Sequence, residues 1–280
     1  MRYLNSKKKF AGELVPIFQE LIDFRKIEKY VEPFCGGCNI IDKIRCPKRF
    51  ASDNDRFLIA LYQYIKNGGR LLDDVSRDMY LRVARAYKKK TNDYIDWVVG
   101  CVAFLASRDT KTVWGGFAAP HKSSNSDEVV IPYQNRKNRL LKQMERLKDV
   151  VFECCDYSKI RRFRNAFIYC DPPRPEDKGY TYGKDFDYDD FWNRMRRWSR
   201  HNYVFITARK APDDFIKIWS RRNKNHGNER LYIHCYGKAA EYYELKERYE
   251  KRQKEINKVW EDRYRRERRN GKHDNIEIQP

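Results

Sequence analysis

Apolar and polar positions in the first quarter of the chain predict alternating helices and strands. Residues 10–24 (FAGELVPIFQELIDF) carry apolar side chains at helical spacing. The segment KYVEPFCGGCNIID at 29–42 then predicts a short strand, a turn that contains proline, paired glycines and the opening of another helix. A second strand at 49–55 (RFASDND) precedes an amphipathic helix at 56–69 that ends in two glycines. This alternation is typical of a mostly parallel sheet.

The pattern changes between residues 73 and 135, which predicts an insertion. The segment YIDWVVGCVAFLAS at 94–107 is apolar enough for a buried helix, whereas 108–138 is polar, glycine-rich and irregular. The α/β pattern then resumes. Its predicted elements are a helix at 139–148, strands at 149–155, 165–170 and 202–208, and a helix at 189–199.

The chain therefore divides into three predicted parts. Residues 1–72 and 136–238 form one α/β domain, and residues 73–135 form the insertion with its exposed loops. The last part, residues 239–280, is a basic helical tail rich in Lys, Arg and Glu.

The composition of the 280-residue chain supports a large domain with a polyanionic partner. Hydrophobic residues make up 41% of the sequence, and charged residues make up 36%, compared with about 25% in ordinary globular domains. Lys and Arg number 60 against 40 acids, which gives a formal net charge of +20. A surplus of this size attracts nucleic acid first and membrane surfaces second; the alternative is a soluble basic protein without such a partner.

Targeting segments and metal sites are not predicted. The N-terminal sequence lacks the apolar core of a signal peptide, and no apolar run approaches the ~18 residues of a membrane span, so we expect a soluble cytoplasmic protein. The eight cysteines are then expected as thiols. Cys35 and Cys38 form one CxxC pair, but a second pair at zinc spacing is missing, so no metal is predicted.

Polar residues follow three of the predicted strands. Glu32, Phe34 and Gly36 follow the first, where glycine lets the backbone approach a ligand and a helix start favours anionic groups. Asp53 ends the second and can accept from both hydroxyls of a ribose, and Asp156 follows the third and can accept from an adenine amino group. Because parallel strands end at one edge of a sheet, these residues predict a nucleoside cofactor site, although singly each is typical of a turn or cap.

The fourth strand ends in DPPR, residues 171–174. The two prolines fix φ near about −65° and make the turn rigid. An exocyclic amino group is a weak nucleophile because its lone pair is delocalised into the ring. The Asp171 carboxylate and the Pro172 carbonyl can hold both amino hydrogens and favour a pyramidal nitrogen in line with the methyl group of a sulfonium cofactor. Catalysis would then consist mostly of positioning.

These segments resemble a known family, the Dam-like (alpha-type) adenine-N6 DNA methyltransferases, and especially their phage branch. The resemblance covers nearly all of residues 1–219 and rests on segments in the family's order: RYLNSK, YVEPFCGG, SDND, VWGGFAAP, LKDVVFECCDYSKI, YCDPPR, FDYDDFWNRMRRWS and VFITARKAPDDF. It implies a Rossmann-like, S-adenosylmethionine-dependent methyltransferase sheet with residues 73–135 as a helical target-recognition insertion. The implied reaction is methyl transfer to an adenine flipped out of DNA, with restriction-modification as the expected context.

The resemblance also implies roles for matched residues. The residues implied at the cofactor are Tyr3, Lys7, Glu32, Phe34, Gly36, Asp53, Asp156 and Asp171. The implied catalytic turn comprises Asp171, Pro172, Pro173 and Arg174. Lys7 belongs to the basic run SKKKF, which is otherwise typical of a solvated surface.

Arg174 departs from the family, which has a tyrosine that stacks on the flipped adenine at this position. A guanidinium plane can also stack on a base, so the role can persist. Asn5 likewise replaces a glycine of the opening motif. Two alternatives follow: a catalytically silent protein that binds DNA or RNA, and an enzyme that methylates RNA or another amino base.

Overall fold

A computed structural model of the chain describes residues 6–108, 114–123, 128–174, 186–223, 227–244, 246 and 247, together with the single positions 251, 254, 258, 261 and 265. Tyr3 and Asn5 of the opening motif therefore lie outside the described residues. Parts of the insertion loops and most of the predicted tail lie outside them as well.

The described residues alternate between strands and helices, numbered here in chain order. The strands are β1 (Lys29–Glu32), β2 (Lys48–Asp53), β3 (His121–Lys122), β4 (Val129–Val130), β5 (Val150–Cys154), β6 (Phe167–Cys170), β7 (Tyr203–Ala208), β8 (Phe215–Asn223) and β9 (Gly227–His234). The α-helices are α1 (Ala11–Phe24), α2 (Arg56–Lys66), α3 (Arg77–Lys89), α4 (Asp96–Leu105), α5 (Pro132–Met144) and α6 (Tyr188–Ser199).

Seven strands form one sheet in the order β5-β2-β1-β6-β7-β9-β8. The strands from β5 to β7 run parallel, and β9 is antiparallel to both β7 and β8. The predicted α/β class and Rossmann-like sheet are confirmed. Because β1, β2, β5 and β6 are parallel and adjacent, the residues that follow them meet at one edge of the sheet.

Apolar side chains cover both faces of the central strands, as expected for a parallel sheet. All four residues of β6 are buried. On one face, the fully buried ring of Phe18 in α1 lies 5.0 Å from the rings of Phe167 and Tyr169 and 5.4 Å from that of Phe205. This packing holds α1 against the middle of the sheet, directly beside the strand that leads into Asp171 and the diproline turn.

The prediction of a helix directly after the first strand is wrong. Between β1 and β2 the chain forms a loop with one short 3-10 helix, Ile41–Lys43. Gly36 and Cys38 have φ angles of 42° and 52°, in the left-handed region, which interrupts any right-handed helix there. The argument that a helix N-terminus contributes to a ligand site therefore does not apply to this loop.

Residues 73–135, predicted as an insertion, contain α3, α4 and the small β3–β4 ribbon. The buried helix predicted at 94–107 is confirmed as α4, which lies against α2 so closely that a Cβ atom on Gly100 would be 2.2 Å from the Phe57 carbonyl oxygen. The helix predicted from residue 139 instead begins at Pro132, because proline is well suited to the first helical position. The expected boundary after residue 135 thus falls within α5.

The first part of the predicted tail packs on the domain. Residues 238–244 are helical, and Ala239, Ala240 and Tyr242 are buried. The Tyr242 hydroxyl donates to Glu20 Oε1 at 2.9 Å, and Lys246 Nζ lies 2.6 Å from the same oxygen. No helix among the described residues is both long enough and apolar enough to cross a membrane.

Candidate active site

The residues predicted at the cofactor and in the catalytic turn converge on one cleft at the carboxyl ends of the parallel strands. This main cleft contains about 1020 Å³ of empty space, including the solvent at its mouth. The predicted residues that line it are Lys7, Glu32, Phe34, Gly36, Asp53, Asp156, Asp171, Pro172 and Pro173. Tyr3 lies outside the described residues. Arg174 lies in an adjoining cavity instead.

Hydrogen bonds to neighbouring elements fix the conformation of the loop after β1. The Gly36 amide donates to Asp53 Oδ2 at 3.0 Å, and the Tyr62 hydroxyl of α2 donates to the Gly36 carbonyl at 2.8 Å. The Cys35 amide donates to the Ser52 carbonyl at 2.9 Å. These bonds fix a glycine with a positive φ at the cleft wall, where any side chain would strain the backbone.

Asp53 links the glycine loop to the start of α2. Its Oδ1 accepts from the amide of Asp55, whose own carboxylate caps α2 by accepting from Phe57 and Leu58 amides. Burial, and secondarily the charge of Asp55, raises the pKa of Asp53 to about 7. Each carboxylate oxygen has a second lone pair, so Asp53 can still accept hydrogen bonds from a ligand in the cleft.

Glu32 ends β1 beneath the cleft and is only 3% exposed. The Tyr30 hydroxyl donates to its Oε1 at 2.8 Å. Burial raises the pKa of Glu32 to about 8, and the negative charges of Asp42 and Asp171 add to the shift. The carboxyl group is therefore mostly protonated at neutral pH and can donate a hydrogen bond.

Asp156 and Phe34 also line the main cleft. Asp156 Oδ1 accepts from the Ser158 amide at 2.8 Å, which orients this carboxylate at the end of β5. The Phe34 ring packs against Tyr157 and Phe186, with centroid distances of 5.1 and 6.0 Å. An acid beside an aromatic wall provides both an acceptor and an apolar surface for a planar heterocycle.

Asp171 follows β6 directly and is held by two donors. Lys7 Nζ lies 2.6 Å from Oδ1, and the Thr207 hydroxyl of β7 donates to the same oxygen at 2.8 Å. Among the residues that the structure describes, no donor binds Oδ2. Lys7 is 4% exposed, unlike its exposed neighbours Lys8 and Lys9, so the solvated surface that its basic run also allowed is excluded for this residue.

Arg174 forms a buried ion pair with Glu229 of β9. Its Nη2 contacts Glu229 Oε1, and Glu229 Oε2 lies 3.8 Å from Lys7 Nζ. Arg174 also lines a second cavity, which contains about 870 Å³ of empty space including the solvent at its mouth and shares Pro172 and Pro173 with the main cleft. The diproline turn therefore borders both cavities.

Sequence reasoning missed Thr207 and Glu229. Thr207 was predictable in principle, since the parallel register pairs Cys170 with Ile206 and so brings the next residues, Asp171 and Thr207, side by side. Glu229 had no such signal, because the β8–β9 hairpin was not predicted and the acid is one of several charges in a polar segment.

Cys35 also lines the main cleft. Cys35 and Cys38 are buried free thiols, and burial raises the pKa of Cys35 well above its ordinary value. Within the described ranges, no group of three or more His, Cys, Asp and Glu side chains is arranged to hold a metal ion.

Comparison with known proteins identifies the family of this chain. Residues 3–192 match the D12 class N6 adenine-specific DNA methyltransferase family. The chain belongs to this family. D12 class enzymes methylate the N6 amino group of adenine in DNA and require a methyl donor, so the activity and the acceptor expected from the sequence resemblance are confirmed at the level of the family.

Two relatives of the chain are type II methyltransferases. The chain is 24% identical to M.MjaIII of Methanocaldococcus jannaschii over 221 residues, which are 68% of this chain and 74% of that protein. It is 22% identical to M.FokI of Planomicrobium okeanokoites over 220 residues, 70% of this chain. The aligned part covers only 32% of M.FokI. Thr207 and Glu229 lie beyond the segment that matches the D12 family.

Proposed function

We propose that this chain transfers the methyl group of S-adenosylmethionine to the N6 amino group of an adenine extruded from double-stranded DNA. One arrangement carries the proposal: Asp171 and the diproline turn stand where the main cleft meets the second cavity. Family membership supports adenine in DNA as the acceptor. The cofactor, the double-stranded form of the DNA and the residue roles are inferred from the side chains.

The chemistry of the main cleft fits S-adenosylmethionine. Ionised Asp53 can accept hydrogen bonds from the ribose hydroxyls, Asp156 can accept from the adenine amino group, and Phe34 offers an apolar ring. Glu32 and Gly36 complete the wall without adding a positive charge, which suits a cationic ligand. When bound, the cofactor supplies an electrophilic methyl group on a positively charged sulfur.

Asp171 and Pro172 would hold the acceptor amino group. Lys7 and Thr207 fix Oδ1 of Asp171, which leaves Oδ2 to accept one amino hydrogen, while the Pro172 carbonyl accepts the other. Two acceptors on a rigid turn favour a pyramidal nitrogen whose lone pair points away from the ring. They also lower the entropic cost of aligning the nitrogen with the methyl group.

The insertion and the tail would engage the DNA. Residues 73–135 form the target-recognition part, and their loops would read the sequence, since base contacts rather than phosphate contacts specify a site. The net charge of +20 favours association with the phosphate backbone and makes it dependent on salt. The basic residues beyond 247 would add phosphate contacts.

Arg174 favours a second candidate, a protein that binds nucleic acid without methylating it. A buried ion pair stands where the sequence resemblance implies an aromatic ring that stacks on the base. A pocket altered in this way can also select RNA or another amino base. These alternatives predict different products from the same assay.

Methyl transfer from tritiated S-adenosylmethionine tests the proposal. We expect label in N6-methyladenine after digestion of mixed-sequence duplex DNA, and none in RNA of matched composition. Asp171→Ala should abolish transfer, while Asp189→Ala, which removes an exposed acid of α6, should retain it. Label in RNA supports the RNA alternative. Calorimetry with S-adenosylhomocysteine separates the remaining cases, because absence of both binding and transfer leaves only a nucleic-acid-binding protein.

A further inference from the structure

The second cavity has an aromatic wall supplied by α6. Tyr188 and Trp192, one helical turn apart, line it together with the diproline turn. The end of β7 and the segment after it supply further lining residues, namely Thr207, Ala208, Arg209, Lys210, Ala211 and Pro212. The cavity therefore combines aromatic rings, a rigid turn and nearby cations, which together suit a base and its phosphate.

Arg174 lines this cavity, but its guanidinium is already paired with a carboxylate. The residue is 8% exposed, and its guanidinium contacts Glu229, which is 2% exposed. If the guanidinium moved away to stack on a base, the buried Glu229 carboxylate would keep only the weaker ion pair with Lys7, whose Nζ lies 3.8 Å from Oε2. Because an unpaired buried charge is costly, the ion pair holds Arg174 away from a stacking role.

Tyr188 lies beside the same turn and is fixed in place. Its hydroxyl donates to the Pro173 carbonyl at 3.0 Å, and its ring packs edge-on against Phe186 with centroids 4.8 Å apart. Tyr188 is the first residue of α6, and Asp187 caps that helix by accepting from the Asp190 amide at 2.9 Å. The hydroxyl contact and the ring contact thus fix Tyr188 beside Asp171 and Pro172, which would hold the amino group.

We infer that Tyr188 provides the face on which the extruded adenine stacks, in place of the residue at position 174. The inference rests on the proposed function. It assigns the stacking surface to the start of α6, with Pro172 presenting its carbonyl to the edge of the base. Stacking on an aromatic ring is independent of base identity, so recognition of adenine stays with the polar turn.

Single-turnover methyl transfer to mixed-sequence duplex DNA tests the inference with matched variants. Tyr188→Leu removes the ring and should slow transfer by about 5- to 100-fold. Tyr188→Phe keeps the ring and loses the hydrogen bond to Pro173, so it should retain at least about a third of the rate. Tyr236→Leu makes the same change at a tyrosine that is 85% exposed and should leave the rate unchanged.

Affinity for S-adenosylhomocysteine and the thermal unfolding midpoint show whether the main cleft is intact. We expect both to match the wild-type protein in Tyr188→Leu and Tyr188→Phe. Equal rates for Tyr188→Leu and wild type, or an equal loss in the Leu and Phe variants, would overturn the inference while the proposed function stands. Absence of transfer by the wild-type protein would overturn both.

Discussion

Arg174 and Glu229 form an ion pair that is almost completely enclosed by protein. Glu229 also lies 3.8 Å from Lys7, which binds Asp171, so negative and positive charges alternate from Asp171 to β9. A buried charge is tolerated only when it is paired. The arginine at position 174 therefore depends on the glutamate at position 229, and both influence the carboxylate that would hold the substrate.

Arg174→Tyr introduces the residue typical of the family, but this single substitution should not increase the rate of methyl transfer. It leaves Glu229 buried beside Lys7, which then divides its charge between Glu229 and Asp171. We expect the free energy of unfolding to fall by about 3 kcal/mol. Transfer should also slow. Chemical denaturation and the tritium assay measure the two effects.

The double variant Arg174→Tyr/Glu229→Gln tests whether the loss of stability in Arg174→Tyr comes from the unpaired Glu229 charge. Removing the glutamate charge together with the arginine should recover most of the stability and leave Lys7 with Asp171. Arg82→Tyr serves as a control, since Arg82 pairs with Asp78 through side chains that are 60% and 77% exposed and should matter little. A single Arg174→Tyr variant that is more active than wild type would identify the arginine as a defect rather than as part of the site.

The residues of the main cleft were predictable because the sequence pattern indicates where the parallel strands end. Glu32 and Asp53 end their strands, and Asp156 and Asp171 follow theirs, and parallel strands bring such positions to one edge. The partners of these residues were not predictable in the same way. Lys7 reaches Asp171 from 164 residues away in the chain, a distance that no local pattern encodes.

The fold was predicted best where the apolar pattern was strong. The central strands and α1, α2, α4 and α6 lie close to their expected positions. The helix expected after Gly36 failed because residues 36 and 38 adopt a positive φ, which depends on the tertiary contacts of the loop. The hairpin of β8 and β9 was missed because Lys and Arg interrupt its alternation, and a bulge at 217–219 shifts its register.

Glu32→Gln should remove a pH-dependent loss of stability. Folding raises the pKa of Glu32 from 4.5 to about 8, so between these values the folded state binds more protons than the unfolded state. The contribution of Glu32 to stability therefore falls as pH rises from 4.5 to 8 and is constant above that range. Glutamine resembles the protonated acid and does not titrate.

Urea denaturation from pH 5 to pH 9 measures this difference. The stability of the wild-type protein relative to Glu32→Gln should decline steadily to about pH 8 and then level off. Glu28→Gln, at the residue just before β1, provides a control for the general effect of removing an acid. A constant difference between wild type and Glu32→Gln across the range would show that Glu32 is already ionised in the folded protein.

Cofactor affinity should depend on the ionisation of Asp53. If the carboxylate accepts the ribose hydroxyls, affinity for S-adenosylhomocysteine is lost as pH falls through its pKa of about 7. We expect binding at pH 6 to be about tenfold weaker than at pH 8. Calorimetry with Asp53→Asn under the same conditions cancels titration of the ligand itself. The same pH dependence in that variant would assign the effect to another group.

The tail should divide into a structural part and a part that contacts DNA. Deletion of residues 248–280 leaves the packed Tyr242 and the Lys246–Glu20 ion pair intact, so the unfolding midpoint should not change. The deleted segment carries more Lys and Arg than acids, so the slope of DNA affinity against salt should become shallower. Deletion from residue 238 onward also removes buried Ala239, Ala240 and Tyr242 and should lower the midpoint. An unchanged salt slope in the shorter deletion would exclude the tail from DNA binding.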